Sequence, residues 1–251
     1  MTLGLLAFGS ADAHAYTVKQ SSHGHSVHWR EGTIRFRMDP LIAAVHGRAK
    51  AQAAVRIAAD AWRGFGTAPD IELAPGAPPP YDPERRGNGI HLVDPWPHEA
   101  DKLALTVTTY GSDGRIIGAD ILINGERSFA VLEESPEAAA LPVHDLAAVL
   151  AHEFGHVLGL GESEDDPEAT MWPTIGTGEW HQRTLSEDDE AGVMAIYGGT
   201  ELSAGTAAVP NAGGCAVGAA RGGKGKGTAI GALLLGLGVA RRPRTRLLSR
   251  R

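Results

Sequence analysis

The chain has 251 residues, 43 % of them hydrophobic, which is enough for one domain with a real core plus appended tails. A formal net charge of −7 argues against a nucleic-acid binder, which would normally present a basic face. A single cysteine, Cys215, excludes an intramolecular disulfide and any cysteine-based zinc framework.

In chain order, residues 1–15 combine a short apolar run with small residues. Ala13 and Ala15 fit a signal-peptide cleavage site before Tyr16, although no basic residue precedes the run. A plain flexible N-terminus is the alternative. "TIRFRMD" (33–39) alternates apolar and polar residues and predicts a strand. Pro40 opens an Ala-rich helix whose apolar face is Ala54, Ile57, Ala58, Ala61, Trp62 and Phe65, with Gly64 and Gly66 ending it. Further strands are predicted at 70–73, 90–94, 103–110 and 114–124. A Pro/Gly-rich loop fills 74–89, and a turn joins the last two strands.

The run from Leu141 to Gly161 predicts a second helix, with Ala147, Leu150, Phe154, Val157 and Leu158 as its buried stripe. A helical wheel puts His152 and His156 on the opposite face. "SEDDEAGVMAIYG" (186–198) predicts a third, opened by a Ser186/Asp189 capping box. The acidic run there reads as capping rather than as a calcium site, so Ca2+ has no support beyond possibility. The order of elements gives an α+β domain, a sheet with helices packed against it.

The chemistry is concentrated at "HEFGH". His152 and His156, four apart on a helix, project from one face and can share one zinc ion. Glu153, about 100° further round, can take a proton from the attacking water and pass it to the leaving amine without being a ligand. Gly159 follows where the helix must stop and turn. A helix surface without metal is the alternative for two histidines at this spacing.

"HEFGHVLGLGES" with a downstream "TMWP" resembles the metzincin zinc peptidases, and the matrixin branch in particular. The likeness covers roughly residues 27–198 and is sharpest over 152–171. It implies a zincin-like fold: a twisted, mostly parallel sheet with an antiparallel edge strand, a long helix, an active-site helix, and a small C-terminal subdomain holding a Met-turn at Met171 and a last helix. It implies a zinc endopeptidase acting on protein or peptide substrates, with one catalytic Zn2+ and Glu153 as base and acid. The edge strand, through Leu105, Thr106 and Val107, would pair with an extended peptide. Trp172, Pro173 and Thr174 would line the pocket for the side chain after the cut, although Trp172 can equally be a core residue under the Met-turn.

Three departures stand out. The family's third histidine is Glu162. Carboxylate is an accepted zinc ligand, so the expected set is His152, His156 and Glu162, with His181 as an alternative third ligand. No cysteine-switch propeptide is visible. No histidine/aspartate set for a structural zinc is evident, and His91 and His98 read as ordinary loop residues.

The expected organisation is a partial signal peptide (1–15), a matrixin-like domain (16–198), a Gly/Ala-rich linker (199–227) and an apolar plus Arg-rich tail (228–251). The lone Cys, the short apolar run and the Arg-rich end resemble MYXO-CTERM bacterial sorting tails. That implies an extracellular or surface-displayed protein recognised by envelope sorting machinery, with no nucleic-acid partner and a monomeric state. A marginal membrane anchor and a cytosolic protein are the alternatives. A catalytically silent peptide- or metal-binding module is the competing function, and a cell-envelope structural protein a third.

Overall fold

The computed structural model describes residues 15–199 and the strand placement of residues 212–213 and 216–217. These fall in one of two units of the chain, Met1–Arg221. The signal-peptide reading of 1–15 and the sorting tail at 228–251 lie outside the described residues, apart from Ala15.

The elements run β1 (Thr33–Met38), α1 (Pro40–His46), α2 (Arg48–Ala61), β2 (Asp70–Leu73), β3 (Gly89–Val93), β4 (Ala104–Tyr110), β5 (Ile116–Asn124), β6 (Phe129–Ala130), α3 (Pro136–Ala139), β7 (His144–Asp145), α4 (Leu146–Leu158), β8 (Thr174–Ile175), a 3-10 turn (His181–Arg183), α5 (Glu187–Tyr197), β9 (Ala212–Gly213) and β10 (Ala216–Val217). The main sheet has the order β2-β1-β3-β5-β4-β9. β1, β2, β3 and β5 pair in parallel, while β4 runs antiparallel to β5. This is the expected mixed α+β architecture with a mostly parallel sheet.

Side chains follow the pleat. Ile34 and Phe36 of β1 point inward, and Arg35 and Arg37 point to solvent. β5, central and flanked on both sides, is buried along almost its whole length. The core joins this sheet to α2 and α4 through Phe36, Ile90, Ile121, Ala58 and Phe154, with the Phe36 and Phe154 rings 5.4 Å apart.

Five expectations need correction. The helix from Pro40 is two helices. Gly47, at φ +82°, closes α1 and opens α2, a conformation glycine adopts without steric cost. It ends at Ala61, before Gly64, because Trp62 turns out of the helix and donates its indole N–H to the Ala151 carbonyl at 2.8 Å. Ile57 is exposed, and the buried face is Ala51, Ala54, Val55, Ala58 and Ala59. The second helix begins at Leu146, because Asp145 caps it by accepting from the Ala148 amide at 2.8 Å. Every residue of α4 is buried, so its histidines face the protein interior and not a polar surface.

Candidate metal centre

α4 brings His152, Glu153 and His156 to the heart of the domain, each fully buried. Its C-terminal cap is Gly159 at φ +102°, where an added Cβ would lie 2.0 Å from the Val27 carbonyl oxygen. After that turn the chain returns along the helix end and delivers Glu162. The Glu162 carboxylate oxygens lie 3.4 Å from His152 Nε2 and 3.4 Å from His156 Nε2. The donor atoms of these three residues all lie within 4.8 Å of one another. Among the described residues no other three His, Cys, Asp or Glu gather this way.

The histidines are prepared to receive a cation. His152 Nδ1 is hydrogen-bonded to the Thr170 carbonyl at 2.8 Å and His156 Nδ1 to the Leu160 carbonyl at 3.0 Å. A carbonyl only accepts, so Nδ1 carries the proton and Nε2 keeps its lone pair. Both Nε2 atoms are buried without a hydrogen-bond partner. Burial lowers the His152 pKa to about 4 and holds His156 well below 6.5, so both rings are neutral at physiological pH. Two ligands of a tetrahedral ion with bonds of about 2.0–2.1 Å stand about 3.4 Å apart, the separation Glu162 keeps from each ring. The donor set fits zinc.

Glu153 sits one position round the helix. The Thr106 hydroxyl of β4 donates to Glu153 Oε2 at 2.6 Å, with the Glu153 carbonyl oxygen 3.2 Å from the same hydroxyl. Thr106 therefore turns its side chain toward α4. Its neighbours Leu105 and Val107 are half-buried, as alternation along β4 requires.

The floor of the site is the turn at Met171. An added Cβ on Gly155 would stand 2.1 Å from the Met171 sulfur and 2.8 Å from the Trp62 ring, so only glycine lets this turn press against α4. Asp189 fixes the turn from α5, accepting from the amides of Thr170 at 2.7 Å and Met171 at 3.0 Å while also completing the capping box with Ser186. Trp172, Pro173 and Thr174 follow, each half-buried, and the Trp172 indole N–H donates to the Thr174 hydroxyl at 3.1 Å.

Other candidates fall elsewhere. His181 begins the 3-10 turn and is not one of the three converging residues. His98 is an exposed loop residue against the Trp96 ring. His91, expected in a loop, is a buried β3 residue paired with Asp120 at 3.1 Å, because β3 lies between β1 and β5.

Sequence reasoning missed Lys19. Residues 17–19 run beside the stretch that carries Glu162. Val18 bridges Leu160, the Lys19 amide donates to the Gly159 carbonyl at 2.9 Å, and the Thr17 hydroxyl donates to the Glu162 carbonyl at 2.8 Å. The Lys19 side chain is fully buried and its Nζ has no hydrogen-bond partner. Burial lowers its pKa to about 8, against the charges of Glu153 and Glu162, which raise it. No motif marks this residue. Only the fold brings its ammonium group to the site.

Comparison with known proteins bears on the same stretch. Residues 93–198 match the family model of Matrixin, Peptidase_M10. That stretch is matrixin-like. Human matrilysin is 38 % identical over 76 residues, covering 30 % of this chain and 28 % of matrilysin. Arabidopsis thaliana metalloendoproteinase 2-MMP is 42 % identical over 67 residues, 27 % of this chain and 17 % of that protein. Human neutrophil collagenase is 47 % identical over 55 residues, 22 % of this chain and 12 % of the collagenase. The chain thus spans under a third of the length of each of these relatives. The matrixin-like stretch supports a zinc metalloendopeptidase, a hydrolase, and implies zinc as its metal.

Proposed function

We propose that the protein is a zinc-dependent endopeptidase that hydrolyses internal peptide bonds of protein substrates. The observation that carries this reading is the buried pair of imidazole Nε2 atoms facing the Glu162 carboxylate, with Glu153 beside them. His152, His156 and Glu162 would hold the ion. Bound there, zinc supplies Lewis acidity, polarising a carbonyl and easing ionisation of water.

The chain's own residues do the rest. Glu153 is the general base that takes a proton from the attacking water and then, as acid, delivers it to the departing amine nitrogen. Thr106 orients the Glu153 carboxylate by its 2.6 Å hydrogen bond to Oε2. The backbone of β4 at Leu105, Thr106 and Val107 pairs with an extended substrate, and Trp172, Pro173 and Thr174 form the wall that meets the residue after the cut. An extracellular location for the enzyme and its substrates belongs to the same proposal, on the sequence patterns at 3–15 and 228–251. Among the described residues no helix is long and apolar enough to cross a membrane.

Glu162 also motivates a second reading, a module that binds peptide or metal without turnover. One comparison separates the two: digestion of an unfolded protein by the zinc-loaded chain and by Glu153→Ala. Loss of a general base should cost on the order of 10²–10⁴-fold in rate while zinc binding survives. A wild-type chain that is folded and zinc-bound yet inert would leave only the silent module.

A further inference from the structure

Two dipeptides in the stretch read as a linker pair with the walls of this site. β9 lies antiparallel to β4, with Gly213 opposite Thr106 and Ala212 opposite Val107. β10 lies parallel to β8, with Ala216 opposite Thr174 and Val217 opposite Ile175. Thr106 is the residue whose hydroxyl holds Glu153. Thr174 follows by three residues the Met171 turn, where the Thr170 carbonyl accepts from His152 Nδ1. The two pairings therefore bracket the catalytic residues, one on the strand touching the base and one just past the turn beneath the metal ligands.

In sequence only Gly214 and Cys215 separate the paired dipeptides. Three residue steps span at most about 10 Å. Residues 212 and 213 thus lie on β4 and residues 216 and 217 on β8, within one short stretch of the sequence. Main-chain pairing of this kind captures an extended peptide with little demand on its side chains, which suits the small-residue sequence Ala-Gly-Gly-Cys-Ala-Val.

We propose that residues 212–217 are an intramolecular substrate of this site, and that the chain cuts its own linker at a peptide bond between Gly213 and Ala216. The proposal rests on the peptidase reading above. In the reaction a water oxygen bonds to the carbonyl carbon and the carbon–nitrogen bond breaks. Glu153 accepts the water proton and transfers it to the leaving nitrogen. The products are a domain ending in a new carboxylate and a C-terminal fragment with a new amine. The tether makes the step unimolecular. Until the cut, Ala212 and Gly213 occupy the β4 edge opposite Val107 and Thr106.

The test follows the intact mass of the purified full chain after zinc is added. The expected result is first-order appearance of a fragment beginning at residue 214, 215 or 216, at a rate independent of protein concentration and absent in Glu153→Ala. The doubly substituted Ala212→Pro/Gly213→Pro chain loses both β9 amides and should cut itself about tenfold more slowly or less, since proline cannot donate to the ladder. It should still digest an unfolded protein. A readout without catalysis uses zinc-free Glu153→Ala chains: β4 amides should exchange with solvent faster when the two prolines are present.

An unchanged linker in a chain that digests unfolded protein would overturn this inference and leave the peptidase standing. A cut outside 213–216, a rate that rises with concentration, or β4 exchange indifferent to the prolines would overturn it as well. A zinc-bound chain that cuts neither itself nor other protein would overturn both readings.

Discussion

Exchanging a third imidazole for the Glu162 carboxylate changes the charge of the centre more than its geometry. Three imidazoles and Glu153 carry one formal negative charge. Two imidazoles, Glu162 and Glu153 carry two, and the buried Lys19 ammonium returns the sum to one. Removing Lys19 therefore takes a positive charge from the neighbourhood of a dication. Lys19→Met should bind zinc more tightly, on the order of tenfold, as chelator competition with the metal-free protein would read. Equal affinity would mean the ammonium group does not sense the site. Glu162→Ala removes the proposed third ligand and should weaken zinc by at least ~100-fold, the upper end of what losing a mere supporting partner costs. Glu162→His should restore binding. Zinc affinity unchanged in Glu162→Ala would exclude the carboxylate as a ligand.

At the scale of elements, α4 works because two unrelated segments press against it where it has no side chain. Gly155→Ala forces its methyl group into the Met171 sulfur and the Trp62 ring, with no room on either side. The variant should lose roughly 2 kcal/mol in urea unfolding of the metal-free chain, the usual scale of overpacking, and should weaken zinc because the Thr170 carbonyl that orients His152 lies in the displaced turn. A loss below a few tenths would mean the turn yields freely. Part of this architecture was legible in advance. The long strands, the glycine stop of the H-E-x-x-H helix and the capping box of α5 are local patterns, and they fall close to where the periodicities and caps put them, whereas that helix starts at Leu146 and not at Leu141. What escaped depends on distant contacts. The break between α1 and α2 turns on the positive φ of Gly47, and the early end of α2 follows from where Trp62 finds its partner 89 residues away. The burial of all of α4, the role of Asp189 in holding the Met171 turn, and the approach of Lys19 are set by packing, which no spacing encodes.

For the whole molecule, the buried neutral histidines tie stability to pH. In the unfolded chain His152 titrates near the ordinary 6.5, whereas in the fold burial holds it neutral down to about 4. Between those values the unfolded state binds more protons, so stability rises with pH and falls on acidification. The gap is worth roughly 3 kcal/mol for His152, and His156 adds to it with the same sign. Asp189 acts the other way. Burial raises its pKa, so near the acid end the folded state takes up a proton first and part of the loss is returned. Urea unfolding of the zinc-free chain should therefore show stability dropping steadily from neutral pH to about pH 5. Zinc should make the dependence steeper, because it stabilises only the folded state and protons compete with it for the same two nitrogens. A zinc-free chain whose midpoint is flat over that interval would show that His152 and His156 are protonated in the fold, and the neutral, metal-ready centre would have to be abandoned.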